Sequence, residues 1–341
     1  VRPPQTFHEA LQLSFIYNQM QEIEGEYVRT QGNFDHLYID YYRRDLAEGR
    51  LTREQAKELI KFYFDKYSAQ HFGAGNNICF GGKYADNSDS CNELTELALE
   101  VFEERNVIDP KLSLRVHENM TDHILKHAAR CVMTGTNAIV FANDDVAYPM
   151  FLKRGKKIEE IVDFVPVGCY EPAIMGREMC CSMSALINFV KIIEYLFTML
   201  DNPNTMDEVV HVYQNLQAEV INETLTHTRL WEKQWPKVNP SPVLSGTMEG
   251  CFEKGRDVSH AGTLYNNSGV MCAGIGTLAD SMAAINYLVF EQKLCTWKEL
   301  RDILAADWEG HEKLRLIAAR RAPKWGNNLT QADNYAVKFS A

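Results

Sequence analysis

No stretch of this chain stays apolar long enough to cross a bilayer, and its first residues, Val-Arg-Pro-Pro, carry no hydrophobic signal region. It has no clustered Lys/Arg run, and its formal net charge is −11, which excludes a nucleic-acid surface on composition. The expectation is a cytoplasmic protein with neither a membrane nor a nucleic acid as partner. The 9 cysteines contain no C-x-x-C and no zinc-finger spacing, and their number is odd. Most therefore read as reduced, buried small hydrophobes, and no metal is expected. Internal repeats, low-complexity tracts and composition breaks are also lacking. No domain boundary is drawn over residues 1–341. The proline-rich stretch Trp231–Pro242 reads as a long surface connection. With no methionine at its start, the chain reads as the interior of something longer.

What is present is a globular composition, 45% hydrophobic and 24% charged, able to bury a substantial core. Capping-box patterns recur at Thr6-x-x-Glu9, Thr52-x-x-Gln55, Ser90-x-x-Glu93, Thr205-x-x-Glu208 and Thr296-x-x-Glu299, each leading into an apolar-periodic run. They predict helices over about 7–24, 52–70, 91–105, 205–222 and 297–308. Further helical patterns cover about 121–133, 157–163, 182–200, 277–292 and 311–321. Between them lie short extended segments at Ile78–Phe80, Leu112–His117, Asn137–Ala142, Phe164–Val167 and Val243–Ser245. Strands alternating with helices predict an α/β fold with parallel pairing and helices outside.

Several candidate motifs carry little. His123 and His127 sit one helical turn apart but lack a third ligand in a metal-binding spacing. Gly274-Ile-Gly276 opens a helix without the third glycine of a dinucleotide fingerprint, and a tight turn explains it. Cys180-Cys181 reads as packing beside a helix start. Gly168-Cys169-Tyr170-Glu171-Pro172 is different. It follows an apolar extended segment and ends in a proline that cannot continue a ladder. It therefore reads as a tight loop at a strand's end, holding a thiol and a carboxylate two residues apart.

The sequence around that loop resembles the glycyl radical enzymes, the superfamily that includes formate acetyltransferase (pyruvate formate-lyase) and the diol, choline and hydroxyproline lyases. The family's cysteine loop commonly reads G-C-V-E-P, and here it is Gly-Cys-Tyr-Glu-Pro. Asn143-Asp144-Asp145 resembles the family's N-D-D element, and Pro172 through Gly176 to Met179 is similar to its P-x-x-x-G-x-x-M. Gly32-Asn-Phe34-Asp35 through Tyr41-Tyr42 resembles G-R-F-D…Y-Y, and Asn77-Ile-Cys-Phe-Gly81-Gly82 resembles N-I-x-x-G-G. Gly250–Asp257, Asp280-Ser281 and Gly326-Asn327-Asn328 fit later blocks in the right order. No R-V-x-G-Y motif, which carries the family's radical glycine, occurs in this chain.

The resemblance implies the central part of a ten-stranded α/β barrel with the cysteine loop inserted into it. It implies a lyase or dehydratase in which Cys169 forms a thiyl radical and Glu171 acts as general base. A C–O, C–N or C–S bond of a small polar substrate would break next to the carbon that loses hydrogen. The alternatives are a glycyl radical decarboxylase, and a non-catalytic homologue or fragment partnering a glycyl-bearing subunit. Formate acetyltransferase chemistry is disfavoured, because Gly168 stands where that enzyme has the first of two adjacent cysteines. No cofactor is expected on this chain. The glycyl radical would lie on a residue outside it, installed by a separate radical S-adenosylmethionine activase, and a homodimer is expected.

Candidate substrate-binding residues are Tyr27, Arg29, Phe72 and Arg115. Tyr27 and Val28 match the position of a His-Ser pair in diol-dehydratase relatives, and Met183 falls where those relatives have a substrate-binding Asp, which disfavours glycerol and propanediol. Phe72 matches a pocket-lining phenylalanine of some relatives. Arg29 and Arg115 would meet a carboxylate or sulfonate, weighed against a structural salt bridge or a solvated face. A C-x-E segment that stays extended would put Cys169 and Glu171 on one face.

Overall fold

The computed structural model describes residues 2–26, 29–69, 76–106, 108–135 and 138–340. In chain order the elements are α1 (Phe7–Ile23), β1 (Arg29–Asn33), α2 (Phe34–Ala47), α3 (Arg53–Ser68), β2 (Asn76–Gly81), α4 (Glu93–Arg105), β3 (Lys111–Val116), α5 (Asp122–Met133), β4 (Ile139–Asn143) and α6 (Asp144–Lys153). There follow α7 (Ile158–Ile161), β5 (Phe164–Val167), β6 (Glu171–Ile174), β7 (Glu178–Asn188), α8 (Phe189–Met199) and α9 (Met206–Glu232). The short helices α10 (Trp235–Val238), α11 (Pro242–Ser245) and α12 (Cys251–Lys254) precede β8 (Tyr265–Ala273). The chain closes with α13 (Ile275–Ile285), which widens into a π-helical turn over Asn286–Glu291, then α14 (Trp297–Ala305), α15 (Glu312–Arg320) and α16 (Thr330–Ser340). No helix among the described residues is long and apolar enough to span a membrane.

Internal contacts divide the chain into two compact units, residues 1–182 with 232–267, and residues 183–231 with 268–341. The first holds a four-stranded sheet in the order β1-β2-β3-β4, every pair parallel. β2 is buried along its whole length, as a strand covered on both faces must be. Its Ile78 and Phe80, with Leu112 and Leu114 of β3, pack into an aromatic-rich core with Phe34, Phe64, Phe102 and neighbours from the surrounding helices. The opposite face carries Asn77, Cys79, Ser113 and Arg115, all fully buried. In register, Cys79 pairs with Ser113 and Gly81 with Arg115, so the alternation of a strand places these side chains together. The second unit is built on a separate core of α8, α9, α13, α14 and α16, with Phe197 stacked on Trp297.

The α/β class and the parallel sheet are those expected, the sheet having four strands among the described residues. Four local expectations are corrected. Residues 182–188 extend β7, and the helix begins at Phe189 because Asn188 accepts hydrogen bonds from the Val190 and Lys191 amides. Val243–Ser245 is not a strand but part of a one-turn helix that Pro242 starts at its first position. The cap of α4 is Asn92, not Ser90, since the Asn92 side chain receives the Leu94 amide. The stretch after Trp231 is no simple connection, because it contains the one-turn helix α10.

Candidate active site

The Gly-Cys-Tyr-Glu-Pro segment forms the tip of the β5–β6 hairpin. The two strands run antiparallel with Phe164 opposite Ile174, Val165 opposite Ala173, Pro166 opposite Pro172 and Val167 opposite Glu171. β5 was expected to pair in parallel; two facing prolines, which lack amide donors, leave the ladder to the neighbouring pairs of a hairpin. Gly168, Cys169 and Tyr170 make the turn, closed by the Tyr170 amide donating to Val167 O at 2.9 Å. Both flanks of the cysteine are left-handed, with φ of +53° at Gly168 and +81° at Tyr170. The segment is therefore not extended. Cys169 stands exposed at the tip, whereas Glu171 lies half-buried at the start of β6 with both carboxylate oxygens buried. Neither oxygen has a hydrogen-bond partner among the described residues. An unpartnered buried acceptor is costly.

The sheet's polar face holds the hairpin. Asn77 Nδ2 donates to Gly168 O at 2.7 Å, and Arg115 NH1 donates to Val162 O at 2.8 Å. Arg115 gives way as a substrate contact to an internal role. Its Nε and second NH group grip Asp144 at 3.0 and 2.8 Å, that second group also reaches the Tyr148 hydroxyl, and its plane lies 4.3 Å over the Phe164 ring. Burial alone would lower its pKa, but the Asp144 carboxylate outweighs this and raises it. Asp144 also receives the Lys83 amide, while Asp145 pairs with Lys83 Nζ and receives the Glu118 amide. The N-D-D element is thus a set of internal acceptors.

Behind β6, Glu178 accepts the Ile174 amide and pairs with the buried Lys156 at 2.9 Å. Lys156 in turn sits 3.4 Å over the Tyr265 ring. Sequence reading assigned no role to Asn77, Lys156 or Glu178. For Asn77 the visible signal was a polar residue at the start of a strand whose remaining positions read as buried.

Arg29 is buried at the start of β1, donating to Asn18 O at 2.6 Å and to Glu22 at 2.8 Å. Burial lowers its pKa against the opposing pull of Glu22. Arg29 Nε and Asn18 Nδ2 are buried donors with no partner among the described residues. Both residues line a cavity of about 560 Å³ shared with Thr30, Gln31 and the hairpin residues Val165, Val167 and Ala173. Cys169 and Glu171 do not line it. Tyr27, Val28 and Phe72 lie outside the described residues. His123 and His127 face Glu96 and Glu103, and no cluster of three metal-binding side chains occurs among the described residues.

The model of the Pyruvate formate lyase-like family matches residues 1–341. The chain belongs to that family. It is 26% identical to the (2S)-3-sulfopropanediol dehydratase of Klebsiella oxytoca, over 97% of this chain and 44% of that one. It is 28% identical to the isethionate sulfite-lyase of Nitratidesulfovibrio vulgaris, over 99% of this chain and 45% of the relative. A crystal structure of a glycyl radical enzyme from Archaeoglobus fulgidus superposes with a TM-score of 0.89 at 23% identity, covering 99% of this chain and 47% of that one. The fold is therefore that of the glycyl radical enzymes. The chain spans about half the length of the curated relatives it matches.

Proposed function

We propose that this chain supplies the hydrogen-abstracting cysteine and the general base of a glycyl radical lyase that cleaves a C–O, C–N or C–S bond of a small polar substrate. The observation that carries the reading is the hairpin tip, with an exposed thiol at Cys169 and a buried, unpartnered carboxylate at Glu171. A glycyl radical outside this chain supplies the oxidising equivalent by taking the Cys169 thiol hydrogen. The Cys169 sulfur then takes hydrogen from a substrate carbon bearing a hydroxyl, restoring S–H and leaving a carbon radical whose O–H is far more acidic. Glu171 accepts that proton. The resulting ketyl radical expels hydroxide, an amine or sulfite from the adjacent carbon. The product radical takes the hydrogen back from Cys169.

Relatives named as a sulfopropanediol dehydratase and an isethionate sulfite-lyase fit a substrate with a hydroxyl near a leaving group and an anionic head. Arg29 is the cation assigned to that head, with its free Nε beside Asn18 Nδ2 in the cavity along the hairpin. Tyr27 and Phe72 keep their assignment as substrate contacts on resemblance alone. A separate radical S-adenosylmethionine activase, a homodimeric assembly and a cytoplasmic setting belong to the same reading.

The test is Glu171→Gln in the full-length, anaerobically activated protein, scored against a panel of hydroxysulfonates and diols. The glycyl radical should form as in the parent, while release of water or sulfite falls by a factor of about 100 or more. Cleavage at the parental rate would overturn the base assignment. Release of carbon dioxide as the product would overturn the elimination in favour of decarboxylation.

A further inference from the structure

The hairpin that carries Cys169 is held by side chains at both ends of β5. β5 pairs only with β6 among the described strands, yet the carbonyls just before and just after it are received by the parallel sheet. Arg115 takes Val162 O, and Asn77 takes Gly168 O. The two donors share the sheet's polar face by register, and both are fully buried.

The Asn77 end bears directly on the thiol. Gly168 and Tyr170 are both left-handed, a conformation costly for tyrosine, so the turn persists only where its surroundings over-determine it. The direction of Cys169 follows from the backbone of those two neighbours. Asn77 is not there for stability. At a fully buried strand position an apolar residue packs without cost, whereas the Asn77 Oδ1 is buried with no partner among the described residues. One half of the amide is left unsatisfied so that the other half can hold Gly168 O.

We propose that Asn77 is a positioning residue that sets the aim of the Cys169 sulfur, with Arg115 fixing the far end of the same strand. This rests on Cys169 being the thiyl-forming residue. Hydrogen transfer between glycine, sulfur and substrate is steeply sensitive to distance, so a turn freed by loss of this one bond should lose rate and not binding.

The experiment compares Asn77→Ala and Asn77→Leu with the parent as full-length, anaerobically activated enzyme, with rates expressed per glycyl radical. Asn77→Leu keeps the buried volume and removes the donor together with the unpartnered Oδ1, which guards against an unfolded alanine variant. The expected result is a kcat lower by about 100-fold with KM changed by less than about threefold. A second readout is the glycyl signal in heavy water. There the thiol carries deuterium, which the glycyl radical takes from sulfur; return of the original α-hydrogen to sulfur leaves a deuterated radical, and the doublet collapses. That collapse should slow in both variants and be absent in Cys169→Ser. If Cys169→Ser loses turnover while the Asn77 variants keep parental kcat and collapse rate, the positioning role is overturned and the thiyl assignment stands. If Cys169→Ser keeps turnover, the thiyl assignment itself is overturned.

Discussion

Arg115 shows how much a single residue's meaning depends on its partners. On an alternating strand beside Ser113, it reads from sequence as a cation facing an anionic substrate. Its actual partner, Asp144, lies 29 residues further on, at the first position of α6 and fully buried. The same ion pair explains Gly82. A Cβ added there would lie 2.6–2.7 Å from the Arg115 guanidinium, which Asp144 prevents from moving, and the backbone has φ of +96°. Arg115→Ala should cost about 3–5 kcal/mol, because it strands a buried carboxylate. Gly82→Ala should lower the melting temperature in the parent but by less in the Arg115→Ala background, since the clash is then gone. Thermal unfolding of the two single variants and the double variant checks this, and strict additivity would contradict it. The identities of Cys169 and Glu171 were legible because they lie in one short motif. The partners of Arg115 and the grip of Asn77 were not, because each joins residues from different strands and helices.

Among the elements, the helices were the most legible, since capping chemistry is local. Thr52 and Thr296 each exchange hydrogen bonds with the residue three positions on, as their sequences predict. β1, β6, β7 and β8 were missed, as were α2, α6, α16 and the one-turn helices α10 and α12. β1 runs into α2, and β4 into α6, without an intervening loop, and the boundaries are marked only by Gly32 (φ +82°) with Asn33 and by the capping Asn143. The exposed seam between α3 and α4 gives a prediction of its own. Arg53 holds the Glu100 carboxyl below its ordinary value of 4.5, and Lys57 with Lys61 does the same for Glu104. A carboxyl depressed in the folded state adds stability above its ordinary pKa and loses it as pH falls through the depressed value. Urea midpoints should therefore fall more steeply below about pH 4.5 in the parent than in a Glu100→Gln, Glu104→Gln variant. Parallel curves would contradict the contribution of this seam, and added salt should shrink the difference.

At the scale of the whole molecule, the family and the α/β class were legible from motif order alone, whereas the division into two units was not. That division falls inside β7 and β8, where the sequence carries no linker. The thiol at the hairpin tip is exposed, and the chemistry proposed for it needs a glycyl radical within reach. The measurement that bears most directly on the account is substrate turnover per glycyl radical in full-length Cys169→Ser, activated anaerobically beside the parent. The account predicts a parental glycyl signal with no turnover. Turnover surviving in Cys169→Ser would contradict it.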